Sequence, residues 1–279
     1  MKKALVVEGG AMRGVFAAGV LDVFLARKQA FDFAIGVSAG ATNLASFVSQ
    51  IPGLNKTIIT EYATKREFFS PLRFIRGGHM TDVHWLWHQC RSQLNERLTT
   101  VAPRTPLYVG VTNVETGQCD YLQANHENID DLMVASCSLP VAYRDQTRIG
   151  DCAYIDGGVA DAIPVRQAYE MGAREITVVL SQPLGFEKPA TKGSWLMEKL
   201  YGHQPALLNT MLRRPDIYNE TLAFLRNPPA DLTLNIIAPP ADFNVKRLTM
   251  ARRKLERGYK LGKIAALRSL KEQRRDQAA

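Results

Sequence analysis

Twice before Gln50 a short apolar run breaks at small residues and passes straight into a segment with helical spacing. Lys3 to Val7 is rich in β-branched and aliphatic residues and ends at Glu8-Gly9-Gly10. Val15, Phe16, Gly19, Val20, Val23 and Phe24 then recur at helical intervals through Lys28. Phe31 to Ile35 repeats the pattern: it breaks at Gly36 and resumes at Ser38 as small, helix-compatible residues through Ser49. Strands that alternate with helices cannot pair as hairpins. They pair in parallel, with the connecting helices covering both faces of the sheet. The predicted class is therefore α/β.

Downstream, Thr57 to Leu98 reads as mostly helical and carries the aromatic cluster Phe68, Phe69, Phe74, Trp85 and Trp87, a cap or packing layer. Leu107 to Asn113 and Gln118 to Gln123 predict a hairpin about Glu115-Thr116-Gly117. Asp130 to Ser136 predicts a short helix with carboxylates in its first turn. Ile176 to Leu180 and Leu234 to Ile237 supply further strands, and the sequence after Leu248 is helical to near its end.

With 279 residues, 46% of them hydrophobic, the chain can bury a full core, which excludes collagen-like and low-complexity classes. Cys90, Cys119, Cys137 and Cys152 form no CxxC pair, so reduced thiols and a cytoplasmic setting are expected. Met1-Lys2-Lys3 leads into too short an apolar run for a secretion signal. No window approaches the roughly 20 apolar residues of a membrane span. The expectation is a soluble protein, peripheral to a membrane at most. The net charge of +8 is concentrated between Lys246 and Asp276, where twelve Lys and Arg face three acids. Such a stretch is a solvated helix face or a patch for anionic head groups. Nucleic-acid binding is not expected, because no aromatic or helix-turn-helix pattern accompanies the charge.

Gly36-Val37-Ser38-Ala39-Gly40 has the GxSxG spacing and lies where a strand turns into a helix. Its glycines remove the Cβ atoms that would collide in a sharp elbow, so the Ser38 hydroxyl can stand exposed as a nucleophile. The competing role for Ser38 is a helix N-cap. A nucleophilic serine needs a base, and none of His79, His84, His88, His126 and His203 stands in a glycine-rich or strand-end loop. Asp156 does, ahead of Gly157 and Gly158, and a partly desolvated carboxylate is basic enough to serve. Asp151 is the competing carboxylate.

Glu8-Gly9-Gly10-Ala11-Met12-Arg13-Gly14 again joins strand to helix, and its small residues let amides converge on a phosphate or a developing oxyanion. A dinucleotide reading fails: GxGxxG needs glycine where Ala11 stands, and the next strand ends in Gly36-Val37-Ser38 rather than an acid.

These three segments, in this order, resemble the patatin-like phospholipase family: a glycine-rich loop with an arginine, then GxSxG, then Asp-Gly-Gly. Ala135-Ser136-Cys137-Ser138-Leu139-Pro140 and the run from Asp156 to Pro164 also match that pattern. The resemblance spans about residues 4–172. It implies a three-layer α/β/α sandwich with a mostly parallel central sheet, and a catalytic domain over 4–172. A C-terminal extension over 173–279 would complete the sheet and end in a basic helical tail. It also implies a serine hydrolase of acyl lipids, of phospholipase A or lysophospholipase type, that works without a cofactor. Ser38 would be the nucleophile and Asp156 the base. The amides around Gly9, Gly10, Ala11, Met12 and Arg13 would form the oxyanion hole, with Gly14, Gly36, Gly40, Gly157 and Gly158 supporting the turns. The family loop more often reads Asp-Gly-Gly-Gly, where this chain has Glu8 and Ala11. Because Ala11 carries a Cβ, its amide is expected to serve only with a negative φ.

An acyltransferase with the same dyad, and a non-catalytic lipid-binding module that uses residues 246–276 at an anionic surface, are the alternative readings. His84 and His88 are four apart but lack the glutamate and third ligand of a zinc helix, so no metal is expected. Cys137 and Cys152 read as structural thiols, and the aromatic cluster as core or as the wall of an acyl groove.

Overall fold

The computed structural model describes residues 1–94, 105–190 and 194–276; residues 95–98, the end of the predicted helical layer, lie outside the described set. Eight strands form one sheet: β1 (Lys2–Val7), β2 (Phe33–Val37), β3 (Leu107–Asn113), β4 (Cys119–Gln123), β5 (Thr147–Ile149), β6 (Cys152–Asp156), β7 (Ala173–Val179) and β8 (Thr233–Ile237). Their order is β5-β6-β3-β2-β1-β7-β8, with β4 also paired to β3. β3, β2, β1, β7 and β8 run parallel, as the strand-helix alternation predicts. The pairings β3·β4, β3·β6 and β5·β6 are antiparallel, so the sheet is mixed.

Alternation along β1 shows why both faces must be covered. Leu5 and Val7 pack with Phe16, Phe24, Ala41 and Leu44, from α1 (Val15–Ala26) and α2 (Ala39–Val48). Ala4 and Val6 pack on the opposite face with Tyr218 and Leu222. Successive strand residues point to opposite faces, and here both faces are apolar. The result is a three-layer α/β/α sandwich with a helical C-terminal region.

The predicted helical layer is broken into short pieces: α3 (Leu54–Thr57) running into a π turn over Ile58–Tyr62, then α4 (Pro71–Ile75) and α5 (Val83–Arg91). Pro71 starts α4 under a Ser70 cap, and Gly77, at φ 94°, follows its end. These elements and α6 (Ile129–Cys137) stand over one face of the sheet. α7 (Val165–Glu170) and α9 (Pro205–Arg226) cover the other, with α8 (Ser194–Tyr201) packed against α9.

The basic C-terminal segment forms α10 (Arg252–Asp276) and is docked rather than free. Leu255, Gly258, Gly262, Ala266 and Ser269 are buried at helical spacing. A Cβ on Gly262 would lie 2.0 Å from the Phe16 carbonyl, so only glycine admits this approach of α10 to α1. Lys260, Lys263, Arg268 and Lys271 point outward with Ile264 and Leu267. Among the described residues no helix is long and apolar enough to cross a membrane.

Candidate active site

β2 and β6 approach the same edge of β3 from opposite directions. Val37, the last residue of β2, sits opposite Gly110, and Asp156, the last residue of β6, sits opposite Val111. Adjacent positions on one strand therefore bring the residues at both strand ends together. A Cβ on Gly157 would lie 2.1 Å from the Gly110 carbonyl, so glycine after Asp156 is a steric requirement of this convergence.

Ser38 takes φ 53° and ψ −128°, a conformation that costs an L-residue on the order of 1–3 kcal/mol and is typical of a built functional turn. Its hydroxyl does not cap α2. Instead it donates to Oδ2 of Asp156 at 3.0 Å. The elbow is held from below: the Ser38 amide donates to Oγ of Ser136 at 2.8 Å, and that hydroxyl donates to the Gly110 carbonyl at 2.8 Å. A Cβ on Gly40 would lie 2.3 Å from the Val7 carbonyl, so the start of α2 can tuck against the end of β1 only as glycine. Gly36 sits against Leu44 and Gly14 against Ala39, both within the same packing.

Asp156 is buried. Its Oδ1 accepts from the Gly158 amide at 2.8 Å, and Thr112 Oγ1 donates to its carbonyl at 2.9 Å. Burial raises its pKa above the usual carboxylate range, opposed by the positive charge of Arg214, the Gly158 amide, the Ser38 hydroxyl and Arg247. Asp151 lies at the far end of β6, exposed in the β5–β6 turn. Among the described residues no histidine lines the cavity onto which Ser38 and Asp156 open. His84 and His88 are exposed on α5.

The glycine-rich loop runs beside the elbow, where a Cβ on Gly9 would lie 3.3 Å from Cβ of Ser38. Glu8 anchors it. Its buried carboxylate accepts from the Ser181 amide at 2.5 Å and the Tyr218 hydroxyl at 3.0 Å, with Arg13 at 4.0 Å. The five-residue set of expected donors narrows here. The amides of Gly9, Met12 and Arg13 already donate to the carbonyls of Ala162, Arg247 and Gly10. Among the described residues no acceptor takes the amides of Gly10 and Ala11. Ala11 adopts φ 49°, against the expected requirement for a negative φ. Ala11 is exposed, and its amide meets no acceptor among the described residues despite that φ. The Arg13 guanidinium turns inward beneath the loop, and burial lowers its pKa.

The cavity that holds Ser38, Asp156, Gly10 and Ala11 has a volume of about 390 Å³. Its walls are largely apolar, from Ile58, Ile59, Phe68, Val83, Trp87 and Met133 among others. Phe68 and Trp87 of the aromatic cluster therefore face it, whereas Phe74 stacks under Arg144 and Trp85 packs on Tyr62. Cys137 also faces the cavity. Burial raises its pKa, which keeps it a thiol, consistent with a structural role. Arg214 and Arg247, which no motif singles out, line the same cavity.

The family model described as patatin-like phospholipase matches residues 5–169, and one described as a domain of unknown function (DUF6363) matches residues 204–275. The uncharacterized protein YjjU of Escherichia coli strain K12 is 35% identical over 271 residues, covering 94% of this chain and 75% of its own. VipD from Legionella pneumophila, known from a crystal structure, is similar with a TM-score of 0.51 at 13% identity. The match covers 97% of this chain and 67% of that one, a likeness of fold. The chain belongs to the patatin-like phospholipase family, whose members are in general lipid acyl hydrolases.

Proposed function

We propose that this protein cleaves acyl esters of lipids, as a phospholipase A or lysophospholipase, through a Ser38–Asp156 dyad. The 3.0 Å hydrogen bond between the two, opening onto an apolar cavity, is the observation that carries the reading. The ester carbonyl carbon is attacked by Oγ of Ser38 while the hydroxyl proton passes to Asp156. The oxyanion that develops is stabilised by the free amides of Gly10 and Ala11. Collapse of the tetrahedral intermediate breaks the ester bond, and the leaving alcohol takes the proton back from Asp156. Water then attacks the acyl-serine, Asp156 accepts its proton, and the fatty acid leaves as Oγ recovers that proton. The reaction as written uses no cofactor or metal.

Asp156 has the environment its role requires, since a base raised above its ordinary range accepts a proton more readily near neutral pH. The outer face of α10 suits peripheral contact with an anionic membrane, through basic side chains interleaved with Ile264 and Leu267. Four free cysteines suit a reducing, cytoplasmic setting. The direct test is turnover of a short-chain p-nitrophenyl ester by Asp156→Asn. The dyad predicts loss of at least about a hundredfold in kcat. Retained turnover would assign the base elsewhere.

A further inference from the structure

Two cations, one from a helix and one from a loop, flank the dyad, and neither comes from the stretch that matches the patatin-like model. Arg214, in the middle of α9, donates from Nε to the Gly158 carbonyl at 2.8 Å, which fixes it beside the loop that follows Asp156. Arg247 is fixed beside the oxyanion loop, because its carbonyl accepts from the Met12 amide at 3.4 Å. Both side chains line the cavity into which Ser38 opens. Among the described residues neither Nη of Arg214 and no side-chain nitrogen of Arg247 has a hydrogen-bond or ion-pair partner. Glu8, the other buried carboxylate of this region, is engaged by Ser181, Tyr218 and Arg13.

The local charge is unbalanced as a result. Burial and the nearby Arg247 lower the pKa of Arg214 to about 10, and burial with repulsion from Arg214 and Arg247 lowers that of Lys188 to about 7. Asp156 and Glu8 offset part of this charge, but Arg13, Lys188, Arg214 and Arg247 leave a half-buried positive excess that an anionic ligand would balance. A guanidinium presents a planar fork of N–H donors that matches phosphate or carboxylate oxygens two at a time. A single carboxylate is satisfied by one fork. Two forks facing one space call for an anion with more acceptor oxygens, and phosphate is the common biological one.

We infer that Arg214 and Arg247 form a phosphate subsite beside the dyad, so that the substrates of the proposed hydrolysis are glycerophospholipids whose phosphate lies close to the scissile ester. The inference rests on the hydrolase reading for its substrate class. The apolar cavity takes the acyl chain, Ser38 meets the ester, and the arginines hold the phosphate on the other side of the glycerol. Both specificity residues lie in the region that matches the domain of unknown function, residues 204–275, which gives that region a role in substrate selection.

Binding measured on the full-length Ser38→Ala protein tests the subsite without turnover. A short-chain monoacylglycerol phosphate, kept below its micelle concentration, is compared with the monoacylglycerol of the same chain. The phosphate-bearing lipid should bind about tenfold tighter or better, and Arg247→Gln in the same background should bring the ratio close to one. Arg247 has no partner to lose, so this variant should fold; Arg214→Lys, which keeps a donor toward Gly158, is the second probe. Equal binding of the two lipids, or a ratio that both substitutions leave intact, overturns the inference. Inorganic phosphate binding through Arg247, with no advantage of the phosphate lipid over the monoacylglycerol, would assign the site to free phosphate and overturn it as well. Failure of the wild type to react at Ser38 with a fluorophosphonate would strike the hydrolase reading alone, since the binding ratio does not depend on it.

Discussion

The hydroxyl of Ser38 donates to Asp156 at 3.0 Å although 118 residues separate them. The pairing is a property of the sheet. Antiparallel β6 continues the edge of β3 that parallel β2 leaves, and the junction falls at Gly110 and Val111. A patch of antiparallel pairing in an otherwise parallel sheet is thus what lets a carboxylate, rather than a histidine on a long loop, reach the elbow.

The acid limb of activity should reflect the buried base. As the proposed base, Asp156 must be ionised to act, and burial holds its pKa above the ordinary value of about 4. kcat/KM on a neutral ester should therefore fall, as pH is lowered, at a value above the usual carboxylate range. Ser38, the Gly158 amide, Arg214 and Arg247 all favour the ionised form. Arg247→Gln should move the limb to still higher pH. An unmoved limb would show that Arg247 does not act on the base.

The same burial fixes the sign of a stability effect. A carboxyl whose pKa is raised by folding holds its proton more tightly folded than unfolded, so its ionised form lowers stability above the raised value. That penalty fades as pH falls toward the ordinary range. At neutral pH Asp156→Asn should melt at the wild-type temperature or higher, and the gap should close in acid. Calorimetry that finds the variant less stable at neutral pH would contradict this assignment.

Occupancy of the cavity by the acyl chain predicts a length effect. Ile59 is buried in the cavity wall, and Ile59→Trp adds bulk to the space. The ratio of kcat/KM for a long-chain ester to that for a short-chain ester should fall about tenfold, as removed apolar burial at about 25 cal/mol per Å² implies. Equal loss on both lengths would place the chain elsewhere.

Much of the site is legible in the sequence, for a physical reason. Ser38 and Asp156 each stand at a strand end next to glycines, where hydrophobic period and chain direction change together. Arg214 and Arg247 are not legible. Arg214 lies in a 22-residue helix interrupted by Pro215, and Arg247 follows Lys246 at the start of the basic run that reads as a solvated face. Their inward placement is set by tertiary packing. The cavity is equally hidden, because a segment read as a helical layer becomes hollow only once Pro71 and the Gly77-Gly78 turn break it into short pieces. The positive φ of Ala11 is likewise not announced by composition.

The outward basic face of α10 predicts salt-dependent attraction to anionic vesicles. Removing the helix would uncover α1, so charge reversal is the cleaner probe. At about 1 kcal/mol per charge near the surface, Lys260→Glu with Arg268→Glu should weaken flotation with phosphatidylserine vesicles more than tenfold at low salt. Undiminished flotation would remove α10 from the membrane contact.

The central claim is that Ser38 is an activated nucleophile, and covalent labelling tests it most directly. A fluorophosphonate probe should modify the wild-type protein at Ser38, identified by peptide mass, with Ser38→Ala unlabelled and Asp156→Asn labelled far more slowly. Labelling that persists in Ser38→Ala, or a wild-type protein that stays unlabelled, would contradict the account.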